Sequence, residues 1–156
     1  MPETREIPFI DLSLNKSDSR KTIKNLSKLI KDKSFIGGEE VRKFQVNFSK
    51  FNESKYCLPV ANGTDALEIA LESLDLPKKS EVIVPNFTFL SPAEAVIRGG
   101  YKLVLADINL NDFTISVESL EGLISKKTSA LIVVHLFGNP CNMSEIKKIT
   151  DKHNIK

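Results

Sequence analysis

From Tyr56 onward the chain repeats one rhythm: a short apolar run, a turn, then an amphipathic run at helical spacing. The apolar runs fall at 56–60, 81–84, 102–106 and 129–134, and the helical patterns at 64–75, 92–98, 116–125 and 144–153. Strands that alternate with helices pair in parallel through crossovers, so this order predicts an α/β fold, a mostly parallel sheet with helices on its faces. The stretch Leu131-Ile132-Val133-Val134 is apolar at every position, as expected of a strand covered on both faces. Upstream the rhythm is helical only. Residues 17–33 carry Ile23, Leu26 and Ile30 on one face, and Val41, Phe44, Phe48 and Phe51 form a second stripe over 39–51. Gly37-Gly38 breaks the pattern between them. The expected organisation is a helical segment over 1–55 and an α/β part over 56–156, with no linker-like composition between them and so a single domain overall.

Composition narrows the function. The formal net charge is +2 with both signs interleaved, which leaves no electrostatic footprint for nucleic acid or an anionic membrane. No apolar run approaches the roughly 18 residues of a membrane span. The opening residues contain acids and lead to Pro8, unlike a signal peptide. Cys57 and Cys141 lack metal-ligand spacing, so no metal is expected; they read as free thiols of a reducing cytoplasm.

Three segments that follow apolar runs can carry chemistry. Asn62-Gly63-Thr64-Asp65 reads as a tight turn into a helix, with Gly63 easing the turn. The first amides of that helix have no intrahelical acceptor, and the positive end of the helix dipole suits a phosphate, to which the Thr64 hydroxyl adds a donor. The competing reading is that Asn62 or Thr64 only caps the helix. Asn86-Phe87-Thr88-Phe89 follows the second run and His135 the last. Of the two rings in this segment, Phe87 is the expected core residue and Phe89 is available to lie against a flat ligand. Taken alone, His135 fits a hydrogen-bonded structural residue. Because ligands collect at the carboxyl ends of strands in an open α/β sheet, all three segments can converge on one rim. Two further helix starts are signalled: Ser91-Pro92-Ala93-Glu94 as a capping box with proline, and Asn142 with Glu145.

Together with Phe35-Ile36-Gly37-Gly38, the run from Glu81 to Ser91 and Val133-Val134-His135-Leu136-Phe137-Gly138-Asn139-Pro140, the turn at 62–65 resembles the DegT/DnrJ/EryC1/StrS family. These are pyridoxal-phosphate (PLP) enzymes, mostly aminotransferases of nucleotide-linked keto sugars. The likeness runs from Ile7 to the last residue. It implies a fold type I PLP-transferase large domain, here incomplete. It implies that Gly63, Thr64 and Asp65 hold the cofactor phosphate, that Phe89 lies against the pyridine ring, and that His135 stands near the Asp that pairs with the ring nitrogen. That Asp and the Schiff-base lysine are expected beyond Lys156, so no catalytic residue is assigned and residues 56–156 form only part of the cofactor domain. The expected function is that of a sugar aminotransferase, inactive as this chain alone, with an amino-acid donor and a nucleotide-sugar substrate. A homodimer or a complementing C-terminal polypeptide is the expected partner. The alternative is a non-catalytic phosphate-binding or assembly module. Asn139 departs from the family, where Gln is frequent, and carries no substrate role.

Overall fold

The computed structural model describes Pro8 and residues 10–156; the start of the resemblance, at Ile7, lies outside the described residues. The chain forms two compact units, divided between Pro59 and Val60. The first holds helices α1 (Lys16–Lys31) and α2 (Glu39–Phe51). Asn15 starts α1 by accepting the Asp18 N–H at 2.9 Å. Gly38 precedes α2 at φ 100, a conformation open to glycine and strained for other residues. Phe44 and Phe48 stack with centroids 5.4 Å apart, yet neither helix contains a buried residue, and the apolar stripes stay largely in solvent.

The second unit runs α3 (Gly63–Glu72), β1 (Glu81–Pro85), α4 (Ser91–Arg98), β2 (Lys102–Ala106), α5 (Val117–Leu123), β3 (Thr128–Leu131) and α6 (Met143–His153). Its strands are all parallel in the order β2-β1-β3, with Ile83 opposite both Val104 and Leu131. Side chains of β1 alternate between two cores, as a pleated strand requires. Val82 and Val84 pack with Leu71 of α3, Val96 of α4 and Ala130 of β3. Ile83 packs on the other face with Leu120 of α5 and Ile146 and Ile149 of α6. The α/β sheet with helices on both faces is thus the observed architecture. Beyond β3 the pairing continues: Lys156 donates its N–H to Ser129 O at 3.0 Å and accepts from the Leu131 N–H at 2.9 Å. Ile155 beside it is buried.

One expected strand is absent. Residues 56–60 form no strand, and Tyr56 and Leu58 are exposed. An apolar run supplies the side chains of a strand but not a neighbour to pair with. Both sides of β1 are taken by β2 and β3, and Pro59 has no N–H to give. The capping box expected at Ser91 is also absent: Leu90 is the N-cap residue, and no side chain caps α4. Asn142, by contrast, caps α6 by accepting the Glu145 N–H at 3.3 Å.

At the opposite end of the sheet Glu81 ties three elements together. Its carboxylate accepts from Lys102 Nζ at 2.8 Å and from the Ser125 hydroxyl, linking the starts of β1 and β2 with the turn before β3. The Lys102 hydrogen bond, then the Ser125 bond, hold the Glu81 carboxyl below its ordinary range. A lowered pKa in the fold contributes stability above the unfolded value and loses it as pH falls through the folded value. Urea midpoints of wild type should therefore fall more steeply than those of Glu81→Gln as the pH drops through the ordinary carboxylate range and below it. Equal slopes would show that this carboxylate does not anchor the sheet.

Candidate functional site

Parallel pairing sends the loops after β1 and β3 to one rim, beside the first turns of α3 and α4. A cavity of about 450 Å³ opens there. Gly63, Thr64 and Leu67 of α3 line one side, Ser91 and Pro92 of α4 another, and Thr88, Phe89 and the segment Ile132 to His135 complete it. Four of the residues expected at a site, Gly63, Thr64, Phe89 and His135, thus share one cavity. Asp65 does not line it.

The start of α3 explains that difference. Asn62 is extended, with φ −160, and its Oδ1 accepts the Asp65 N–H at 2.9 Å, while its Nδ2 donates to the Asp65 carboxylate at 3.1 Å. The Ala66 N–H reaches the Asn62 carbonyl at 3.2 Å. Capping and anion binding are therefore not rivals here: the cap takes the third amide, and the Gly63 and Thr64 N–H groups have no acceptor among the described residues. The reason for the glycine also differs from the sequence expectation. Gly63 has no positive φ, and a Cβ built on it would meet nothing within 4 Å. The fold does not require glycine there. What its bareness leaves is open space in the cavity wall beside two free amides, room that suits a phosphate.

Phe89 is 77% exposed and stands at the cavity with a ring face uncovered by the core. Phe87, expected in the core, is half-exposed and packs on Phe113 with centroids 5.8 Å apart, lining a separate aromatic cavity with Phe137. β1 ends at Pro85 and no strand continues through this segment, so Phe87 lies past the covered part of the sheet and the two rings line separate cavities. His135 Nδ1 accepts the Cys141 N–H at 3.1 Å. That bond leaves the proton of the neutral ring on Nε2, the nitrogen available to a ligand. Asn139 donates to the Asp112 carbonyl at 2.8 Å, and Asp107 holds Asn86 at 2.7 Å, so both serve the loops.

Ser91 was missed as a lining residue. It is 6% exposed, and its hydroxyl lies 2.7 Å from Thr64 Oγ1. Its place right after the segment that follows β1 was the available signal, hidden by its reading as a helix cap. A larger cavity, about 580 Å³, lies within the helical unit between Lys28, Asp32, Glu40 and Lys43. Its wall consists of solvated helix side chains and gathers none of the chemistry-bearing motifs.

A helix start with free amides, an uncovered aromatic ring and an oriented imidazole thus stand around one cavity. The profile of the DegT/DnrJ/EryC1/StrS aminotransferase family matches residues 16–156, and the chain belongs to that family. It is 34% identical over 151 residues to the dTDP-3-amino-3,6-dideoxy-alpha-D-galactopyranose transaminase of Aneurinibacillus thermoaerophilus, covering 96% of this chain and 42% of that protein. The structure of an aminotransferase from Psychrobacter cryohalolentis superposes with a TM-score of 0.83 at 32% identity, over 95% of this chain and 37% of that one. NtdA from Bacillus subtilis, solved with bound cofactor PMP, gives a TM-score of 0.89 at 26% identity, over 99% and 36%. The chain thus spans about two fifths of the length of such relatives, and its sheet corresponds to part of their fold.

If Gly63 is bare for a ligand and not for the fold, Gly63→Val should separate the two. The urea midpoint should stay near wild type, because the new side chain enters open space, while inorganic phosphate affinity should fall by about tenfold or more, a loss of about 1.4 kcal/mol. Unchanged phosphate affinity on titration would contradict the assignment.

Proposed function

We propose that this chain is the part of a PLP-dependent nucleotide-sugar aminotransferase that grips the cofactor's phosphate and one face of its ring. The observation that carries the reading is the pair of unpartnered amides, Gly63 and Thr64, opening on the same cavity as Phe89 and His135. Bound PLP supplies an electron sink for moving an amino group between an amino acid and a keto sugar. The residues of this chain do the holding. The Gly63 and Thr64 N–H groups and the Thr64 hydroxyl receive phosphate oxygens at the positive end of α3. Asp65 acts indirectly, by fixing Asn62 and with it the helix start. Phe89 would lie against the ring, and His135, held by the Cys141 N–H, would stand near the group that pairs with the ring nitrogen.

Membership of the family and the likeness to a dTDP-sugar transaminase support a sugar linked to a nucleotide as substrate and an amino acid as donor. Among the described residues no lysine or carboxylate lines the cavity, so the chain alone is expected to bind the cofactor reversibly and to lack transaminase activity. The exposed apolar stripes of α1 and α2 fit a protein that works as a homodimer or with a complementing polypeptide.

Pyridoxamine 5′-phosphate lacks the aldehyde that labels surface lysines and is the suitable probe. By calorimetry it should bind more tightly than inorganic phosphate, with pyridoxamine weakest. Phe89→Ala should erase about a two- to tenfold advantage over phosphate, the range that ring stacking provides, and leave phosphate itself unaffected. Equal affinities for phosphate and pyridoxamine 5′-phosphate would reduce the site to an anion-binding module.

A further inference from the structure

We infer that Ser91 is a positioning residue for the phosphate site, acting through Thr64. The inference rests on the phosphate reading given above. The Ser91 and Thr64 hydroxyls are 2.7 Å apart, and both residues line the cavity. Each hydroxyl has one proton, so the pair has two possible arrangements. When Thr64 donates to Ser91, Thr64 turns only lone pairs toward the cavity, which repel an anion. When Ser91 donates to Thr64 Oγ1, the Thr64 proton is free to point at a phosphate oxygen.

Burial makes Ser91 suited to this task. At 6% exposure it is shielded from competing water, and its hydroxyl has no partner other than Thr64 among the described residues. Its own helix does not use it: α4 has no side-chain cap. The bond joins the first turns of α3 and α4 across 27 residues of sequence and fixes the direction of the Thr64 side chain before a ligand arrives. An anion in the cavity then selects the arrangement in which Ser91 donates to Thr64 and Thr64 donates to the anion. Chained hydroxyls polarise one another, so the terminal donor gains strength from the one behind it.

A double-mutant cycle tests this on the full chain, with inorganic phosphate and pyridoxamine 5′-phosphate as probes and pyridoxamine as the phosphate-free control. Thr64→Val should weaken both phosphate-bearing probes by about tenfold, the scale of a hydrogen bond to a charged group. Ser91→Ala should weaken them by about threefold or more. The double variant should bind no worse than Thr64→Val alone, and pyridoxamine should be indifferent to Ser91. Ser91→Cys keeps the side-chain shape with a weak donor and should fall between wild type and Ser91→Ala, which keeps the test open if Ser91→Ala folds poorly. Independent, additive losses at Thr64 and Ser91, or wild-type affinity in both Ser91 variants, would overturn the inference while leaving the phosphate site standing. Absence of phosphate binding by wild type would overturn both.

Discussion

Strand β1 hydrogen-bonds to a parallel neighbour on each side, and Val82, Ile83 and Val84 are fully buried. Each of these three side chains therefore belongs to one of two cores, and a slip of one residue would exchange them. The same register points β1 and β3 in one direction, so the loops that follow them open beside the starts of α3 and α4. The cavity is a consequence of that shared direction. Glu81, at the opposite end, helps set the register by binding Lys102 and Ser125.

Polar satisfaction at the rim is uneven in an informative way. An N-cap side chain typically contributes about 1 kcal/mol by satisfying one of the free amides of a first turn. Asn62 does this for Asp65 and stops there, leaving Gly63 and Thr64 facing the cavity. At α4 the serine that could serve its own helix turns to Thr64 instead. Two helix starts are thus organised around one volume, with a glycine that leaves open space in its wall. Phe89 and His135, set by the loops after β1 and β3, add a flat face and a defined donor.

Local periodicity made most of the architecture legible. Helical stripes and apolar runs located α1 to α6 and the three strands to within a few residues, because each element carries its pattern within itself. Residues 56–60 form an apolar run too, but a strand needs a partner, and partnership is a long-range fact that local apolarity cannot report. Phe87 was misplaced for a related reason: apolarity indicates preference for burial, whereas burial also needs cover, and β1 ends two residues earlier. The convergence of Gly63, Thr64, Phe89 and His135 was legible, since each opens a helix or follows a strand at one end of a parallel sheet. Three details lay in geometry alone: the diversion of the Asp65 amide to Asn62, the open space at Gly63, and the Ser91–Thr64 bond between distant segments.

The free amides at Gly63 and Thr64 are the centre of this picture, and they can be observed singly. A phosphate titration followed by proton–nitrogen correlation spectra reads each backbone N–H. Saturable downfield shifts concentrated at Gly63 and Thr64, with Asp65 little changed because Asn62 already holds its amide, are the expected result. Shifts spread over lysine-rich α1 and α6, with Gly63 and Thr64 unmoved, would contradict the assignment of this rim as the phosphate site.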